Sequence, residues 1–401
     1  MVSEDYLGLD TAPACPYIQP RIMAAFFQSQ LMRRIATDLS QHRSGNIDPL
    51  RFPPALASLK SRLQQHAAET LDGLLARFDY VRDNAYQRAS IESRLTEVEL
   101  HLDGLEWLHE RLADDASRRT LVEVIAYRIL GSRHTRLSRN DAAYAQALHD
   151  LTHQVMQRSR VARTNILDGW LDDYELGMGE GPLRLRAHKL NVLNTFLLEQ
   201  YCYRKNGTAL VEVRPGDVVL DGGGCWGDTT LYFAAKAGAR GQVHVFEFSS
   251  ANLEILRANL DANPNLKTRV RVHMEALWDV SGAQLNFHEN GPATALHGCS
   301  RGSAGLSALT RSIDDWAAQT RVPGVDFIKL DVEGAEARCL RGAAQVIQEH
   351  RPTLAVALYH SLKDFVELPR MIDALVPGHR FHLGHYTIHE EESILFAAPA
   401  E

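Results

Sequence analysis

The residues best spaced for chemistry in this 401-residue chain lie in VVLDGGGCWGDTTLYFA, Val218 to Ala234, where Gly222, Gly224 and Gly227 satisfy G-x-G-x-x-G directly behind Asp221. A glycine turn between a strand and a helix lets backbone approach a ligand, and in dinucleotide sites the helix N-terminus there holds a pyrophosphate. Glu247, twenty residues beyond Gly227, stands where an acid binds ribose hydroxyls. NAD and S-adenosylmethionine both offer such a ribose, so Glu247 does not choose between them. Asp221 does: a carboxylate at the mouth of the turn repels a diphosphate and attracts an ammonium and a sulfonium. Its plain structural role would be to cap the next turn.

A second set stands at the ends of two later strands: Asp331, Glu333 and His360. In an open α/β sheet, ligands gather outside the carboxyl ends of the strands. Methyl transfer is an in-line displacement at a sulfonium, governed by how the acceptor atom is fixed behind the methyl group. His360 is of the type that titrates in the range of a general base, with Asp331 or Glu333 to orient it or to take the proton directly. Structural roles compete. Glu333 suits a cap on the helix beginning near Ala335, Glu336 suits that helix's first turn, Lys329 suits pairing with an acid or snorkelling as against a direct substrate contact, and His360 suits a satisfied structural histidine. The carboxylates and the imidazole would also suit magnesium or manganese, but no dedicated ligand spacing marks a metal site and none is assigned.

The elements that must position these residues follow from periodicity. Beyond Gly179, DVVLD (217–221), QVHVFE (242–247), RVRVHM (269–274), VDFIKLD (325–331) and TLAVALYH (353–360) read as strands, and helical stretches follow most of them. That alternation predicts right-handed βαβ units and a mostly parallel sheet covered on both faces. RFHLGHYTIHEEESILFAAP has two strand-like runs and no helix between them, so it reads as a terminal antiparallel hairpin. Between the third and fourth strands, Ser281 to Ala308 is rich in Gly, Ser and Ala and reads as a loop, with His288, Asn290 and His297 as polar groups that could face an acceptor.

Ahead of this region, apolar residues recur every three or four positions from Leu56 through Val81 and again at Leu95, Val98, Leu102, Leu105 and Leu112, with Gly131 as a stop. The reading is a helical domain over 1–165, a linker and lead-in helix over 166–209, and an α/β domain over 210–401. The helical domain is the candidate for acceptor binding or for association into homo-oligomers.

A composition of 45% hydrophobic and 23% charged residues is that of a folded globular protein, and a net charge of −7 gives no field for holding nucleic acid. No run is long enough to span a bilayer and the first residues lack an apolar signal region, so a cytoplasmic location is expected. Five cysteines (Cys15, Cys202, Cys225, Cys299, Cys339) include no C-x-x-C pair and suit reduced thiols.

LDGGGCWGDTT, VHVFEFSSANLEILRANLDAN, SIDDW, DFIKLDVEGAEARCLRGA and LYH together resemble the FkbM-type S-adenosylmethionine-dependent methyltransferases, over about residues 210 to 398. The resemblance implies a class I methyltransferase (Rossmann-like) fold: a seven-stranded, mostly parallel sheet with one reversed strand in a C-terminal antiparallel hairpin, here preceded by the helical domain. It implies S-adenosylmethionine as cofactor, lined by Asp221, Gly222, Gly223, Gly224 and Gly227, with Glu247 on the ribose and Glu275, Ala276 and Leu277 beside the adenine. It favours His360, Asp331 and Glu333 as catalytic groups and a hydroxyl on a small molecule, natural product or glycan as acceptor. Gly222, Gly224 and Cys225 stand where the family commonly has Val, Ala and Asn, Phe248 replaces a proline, and Leu358 replaces a glutamate. The competing readings are an NAD(P)-dependent oxidoreductase and a non-catalytic binding protein on the same fold.

Overall fold

The computed structural model describes residues 19–39, 87–132, 134–154, 171–178, 181–287, 291, 294, 296–297 and 306–400. The apolar repeat from Leu56 to Val81, Cys15, Cys299, His288 and Asn290 lie outside them. The first helices are α1 (Gln19–Leu39), α2 (Gln87–Leu100), α3 (Leu102–Arg111), α4 (Asp115–Leu130) and α5 (Ala142–Gln154). Val98, Leu105 and Leu112 are buried as their spacing predicts, and Gly131 ends α4 at φ 75° with its N–H on the Tyr127 carbonyl. Two hairpins follow, β1 (Asp172–Gly177) with β2 (Pro182–Ala187) and β3 (Tyr203–Lys205) with β4 (Thr208–Val211). Between them lie α6 (Lys189–Val192) and a π-helical turn, Leu193–Leu197.

The main sheet is built from β5 (Val218–Gly222), β6 (Gln242–Phe246), β7 (Val270–His273), β12 (Phe327–Leu330), β13 (Thr353–Ala357), β14 (Arg380–His385) and β15 (Ser393–Ala398). Helices α7 (Asp228–Ala237), α8 (Ser250–Asp261), α9 (Pro264–Lys267), α10 (Ile313–Thr320), α11 (Glu336–Arg341), α12 (Ala344–His350) and α13 (Asp364–Leu375) connect its strands. Its order is β7-β6-β5-β12-β13-β15-β14. Only β15 runs against its neighbours, pairing antiparallel with both β13 and β14. The chain winds outward from β5 to β7 and then returns to the other side of β5 with β12. The ends of β5 and β12 are therefore the switch point, where a crevice must open.

Alternation along each strand sorts the core into two layers. Leu220, Ile328, Leu330, Leu354, Val356 and Leu395 face one side, while Val219, Phe327, Ala355, Ala357 and Phe396 face the other. The first side is shared by Phe27, Leu105, Leu121 and Ile125 of the N-terminal helices, so those helices and the sheet bury one continuous core. Polar contacts fasten the same junction. Arg111 donates to Asp373 at 2.8–2.9 Å and to the His379 carbonyl at 2.7 Å. Asp114 caps α4 through the Ser117 amide at 3.0 Å and also accepts from Tyr203 Oη at 2.9 Å and meets His382 Nδ1 at 2.6 Å.

The segment read as a loop between the third and fourth strands carries structure. β9 (Gln284–Phe287) pairs with β10 (Leu296–His297) and with β11 (Leu306–Arg311), and β11 runs parallel to β8 (Ala276–Leu277). The helical run after Glu333 is broken at Gly342, where a Cβ would sit 2.2 Å from the Trp278 carbonyl oxygen.

Candidate functional site

Register brings the first chemical group together. Lys329 on β12 lies beside Asp221 on β5. Both are buried, and Nζ stands 3.3 Å from Asp221 Oδ1, 3.0 Å from the Gly222 carbonyl and 2.7 Å from the Gly223 carbonyl. Thr229 and Thr230, in the first turn of α7, donate to Asp221 Oδ2 at 2.9 and 2.6 Å. Burial opposes charge on Lys329, but Asp221, Asp331 and Asp228 outweigh it and hold its pKa above the usual lysine value. This corrects the electrostatic expectation: Asp221 is no open carboxylate awaiting a cation, because a lysine already neutralises it. Lys329 is accordingly the partner of an acid.

The turn itself excludes an anion nest. The Gly223 and Gly224 amides both donate to the Phe246 carbonyl, at 3.1 and 3.2 Å, and Gly227 N–H donates to the Gly224 carbonyl at 2.7 Å. The Cys225 amide is directed to Glu247. Asp228, buried in the first turn of α7, adds a carboxyl where a phosphate would need a positive helix end. The glycines answer to packing. A Cβ on Gly223 would lie 2.1 Å from the Asp331 carbonyl oxygen, and one on Gly224 2.1 Å from Val245 Cγ2. Gly223→Ala, at φ +84°, is expected to cost about 3 kcal/mol in denaturant unfolding. Gly378→Ala, at φ +91° with nothing within 4 Å, should cost only about 1 kcal/mol, so the difference reports the Asp331 contact.

A cleft opens at the switch point, lined among others by Gly223, Cys225, Glu247, Phe248, Glu275, Leu277, Asp331 and Glu333. Of the residues assigned to the cofactor from sequence, Gly223, Glu247, Glu275 and Leu277 line it, whereas Asp221, Gly222, Gly224, Gly227 and Ala276 do not. Glu247 Oε1 accepts from the Phe248 and Ser249 amides, both at 2.8 Å, and Oε2 meets Asn252 Nδ2 at 3.4 Å. Burial lifts its pKa to about 7 against the pull of those amides. Glu275 is paired with Arg311 at 2.7 Å.

Asp331, Glu333 and His360 converge on one wall. His360 Nε2 stands 3.6 Å from Asp331 Oδ1 and 3.5 Å from Glu333 Oε2, and Nδ1 stands 3.3 Å from Glu336 Oε1. Burial works against a charged imidazole, but Glu333, Glu336 and Asp331 overcome it and raise its pKa to about 11. The three carboxylates thus favour the charged form of the imidazole. Glu333 does not cap a helix: α11 starts at Glu336 behind Ala335, with no side-chain cap. Glu336 instead accepts from the Val332 amide at 2.8 Å.

Sequence reasoning missed the neighbours that hold this wall. Tyr201 and Tyr359 donate to Asp331 Oδ2 and Oδ1, each at 2.9 Å. Glu392, at the start of β15, accepts from Gln200 at 3.1 Å, and burial followed by Asp331 and other acids lifts its pKa to about 8. Tyr359 was legible beside His360 in LYH; Tyr201 and Glu392 arrive from distant parts of the chain and carry no motif.

Sheet order and the cleft at its switch point define the class: this is a class I methyltransferase fold. Residues 211–383 match the family model of the methyltransferase FkbM domain, and the chain carries an FkbM methyltransferase domain there. Among solved structures, a methyltransferase FkbM from Methylobacillus flagellatus KT is 20% identical with a TM-score of 0.48, over 75% of this chain and 60% of that one. The chain thus spans about three fifths of that protein's length. Precorrin-6y C5,15-methyltransferase from Geobacter metallireducens GS-15 is 8% identical (TM-score 0.32; 53% of this chain, 89% of that one). Aeropyrum pernix fibrillarin, solved with natively bound S-adenosyl-L-methionine, is 15% identical (TM-score 0.32; 59% of this chain, 97% of that one). No curated protein matches the chain. Among the described residues no helix is long and apolar enough to cross a membrane.

Proposed function

We propose that this methyltransferase uses S-adenosylmethionine and methylates a hydroxyl of a small molecule or glycan. The observation that carries the choice of donor is the state of the glycine turn. Its amides are engaged within the protein, which disfavours a diphosphate there, while Glu247 lines the cleft where ribose hydroxyls would meet its carboxylate. S-adenosylmethionine supplies a methyl group on a cationic sulfur. The acidic wall of Asp331 and Glu333 suits that positive charge and can accept a hydrogen bond from a hydroxyl acceptor. Tyr201 and Tyr359 keep the Asp331 carboxylate in one orientation, which supports precise placement of the acceptor oxygen.

Calorimetric titration of the full chain tests the donor. S-adenosylhomocysteine is expected to bind with a micromolar Kd, about −8 kcal/mol, and NAD not to bind. Two ribose hydroxyls donate to an ionised Glu247, so binding draws a proton off a group that holds it up to about pH 7. Affinity should therefore rise with pH, by up to about tenfold per unit below 7, and level off above 8. Glu247→Gln should bind about tenfold more weakly at pH 8 and lose that pH dependence. Binding of NAD in place of S-adenosylhomocysteine, or wild-type affinity flat from pH 6 to 8, would count against this reading.

A further inference from the structure

Sequence spacing assigns no metal to Asp331, Glu333 and His360, yet the fold brings one oxygen of each carboxylate and a ring nitrogen of His360 within 4.8 Å of one another. The Nε2 separations of 3.5 and 3.6 Å exceed the roughly 2.7–2.9 Å of a charge-assisted hydrogen bond. They approach the spacing of about 3 Å between adjacent ligands of an octahedral ion with bonds near 2.1 Å. Neither ring nitrogen of His360 completes a hydrogen bond, although both are out of contact with solvent.

We propose that Asp331, Glu333 and His360 bind one divalent cation of the magnesium or manganese class, the ion displacing to water any proton on His360 Nε2 and keeping an open position toward the cleft for the acceptor's hydroxyl oxygen. The surroundings are those of an oriented ligand set. Glu336, 1% exposed and fixed by the Val332 amide, faces Nδ1 of His360 at 3.3 Å and so turns Nε2 toward Asp331 and Glu333. A carboxylate behind a histidine in this way is the usual outer support of a metal-bound imidazole. Tyr201 and Tyr359 fix Asp331 from both of its oxygens. Three carboxylates around one imidazole leave an excess of negative charge in a place largely shut off from water, and a divalent ion balances it. Hard oxygen donors with one nitrogen and no thiolate select magnesium or manganese over softer metals.

What the cation does rests on the methyl-transfer reading above. It lowers the pKa of the hydroxyl it holds, whose proton passes to water. The oxygen's electron pair forms the bond to the methyl carbon as the carbon–sulfur bond breaks, its pair going to sulfur. Where the cation sits does not depend on that reading.

The test uses the full chain stripped with a chelator and desalted, then titrated with manganese chloride while the free-ion electron paramagnetic resonance signal is followed. About one manganese ion per chain is expected, displaced by excess magnesium. Glu333→Gln and Asp331→Asn should each weaken binding about tenfold or more with the circular dichroism spectrum unchanged. No manganese uptake by the wild-type chain, or uptake that Glu333→Gln leaves intact, overturns the site. Glu333 is partly exposed, so its variant is not expected to unfold the wall. A parallel titration with S-adenosylhomocysteine separates the two readings. Manganese bound without it keeps the cation site and removes the donor, whereas the reverse result keeps the donor and removes the cation site.

Discussion

Lys329→Met is expected to cost about 3–5 kcal/mol in denaturant unfolding, and adding Asp221→Asn in the same chain should recover most of that loss. Among the described residues Lys329 is the cation paired with the buried Asp221 carboxylate, and it also serves the Gly222 and Gly223 carbonyls. Its removal leaves Asp221 with two threonine hydroxyls to support a charge out of water. An amide in place of the carboxylate removes the uncompensated charge, which is why the double variant should be far less damaged than the single one. The same lysine ties the glycine turn to β12, so Lys329→Met should also weaken S-adenosylhomocysteine binding. A loss under about 1 kcal/mol for the single variant would mean that water reaches Asp221 and that the pair is not dry.

Asp114→Ala should be the next most costly change, at about 3 kcal/mol, because three roles end together. The α4 cap is lost, and His382 and Tyr203 each lose an anionic partner in a buried place. Burial disfavours the Asp114 carboxylate, but the Ser117 amide, His382 and Tyr203 outweigh it and bring its pKa to about 2. The folded value lies below the unfolded one, so this group's contribution is complete above about pH 4 and disappears as pH falls through 2. Unfolding midpoints of wild type and variant, far apart at pH 7, should therefore converge on acidification. A gap of constant size down to pH 2 would show that packing, not the carboxylate, holds the helices to the sheet.

The parallel strands were legible because each is a short apolar run closed by turn residues, and the hairpin because Arg380–His385 and Ser393–Ala398 have no helical run between them. Strands β9 and β11 were not. QLNF and LSALTR are too short and too flanked by Gly, Ser and Ala to declare themselves, and pairing with each other and with β8 makes them strands. The β1–β2 hairpin did carry a readable signal, since Tyr174 and Leu176 alternate inward opposite Leu185 and Leu183. At the site, types were legible and states were not. Asp221 and Lys329 were each visible in their strands, but only strand order sets them side by side. The electrostatics of His360 depend on Glu336, the first residue of α11, and the orientation of Asp331 depends on Tyr201, 130 residues away in sequence. Sequence spacing names donors and acceptors; it does not say which of them have already found each other.

Contacts such as Arg111 with Asp373, 262 residues apart, have a consequence for biosynthesis. The helices emerge from the ribosome long before the strand and helix that cover Leu105, Leu108 and Leu112 exist. Until then their apolar sides are open to misassociation, and closure waits for partners more than 250 residues later in the chain. Connectivity of this kind slows folding and lengthens the time that apolar surface stays open.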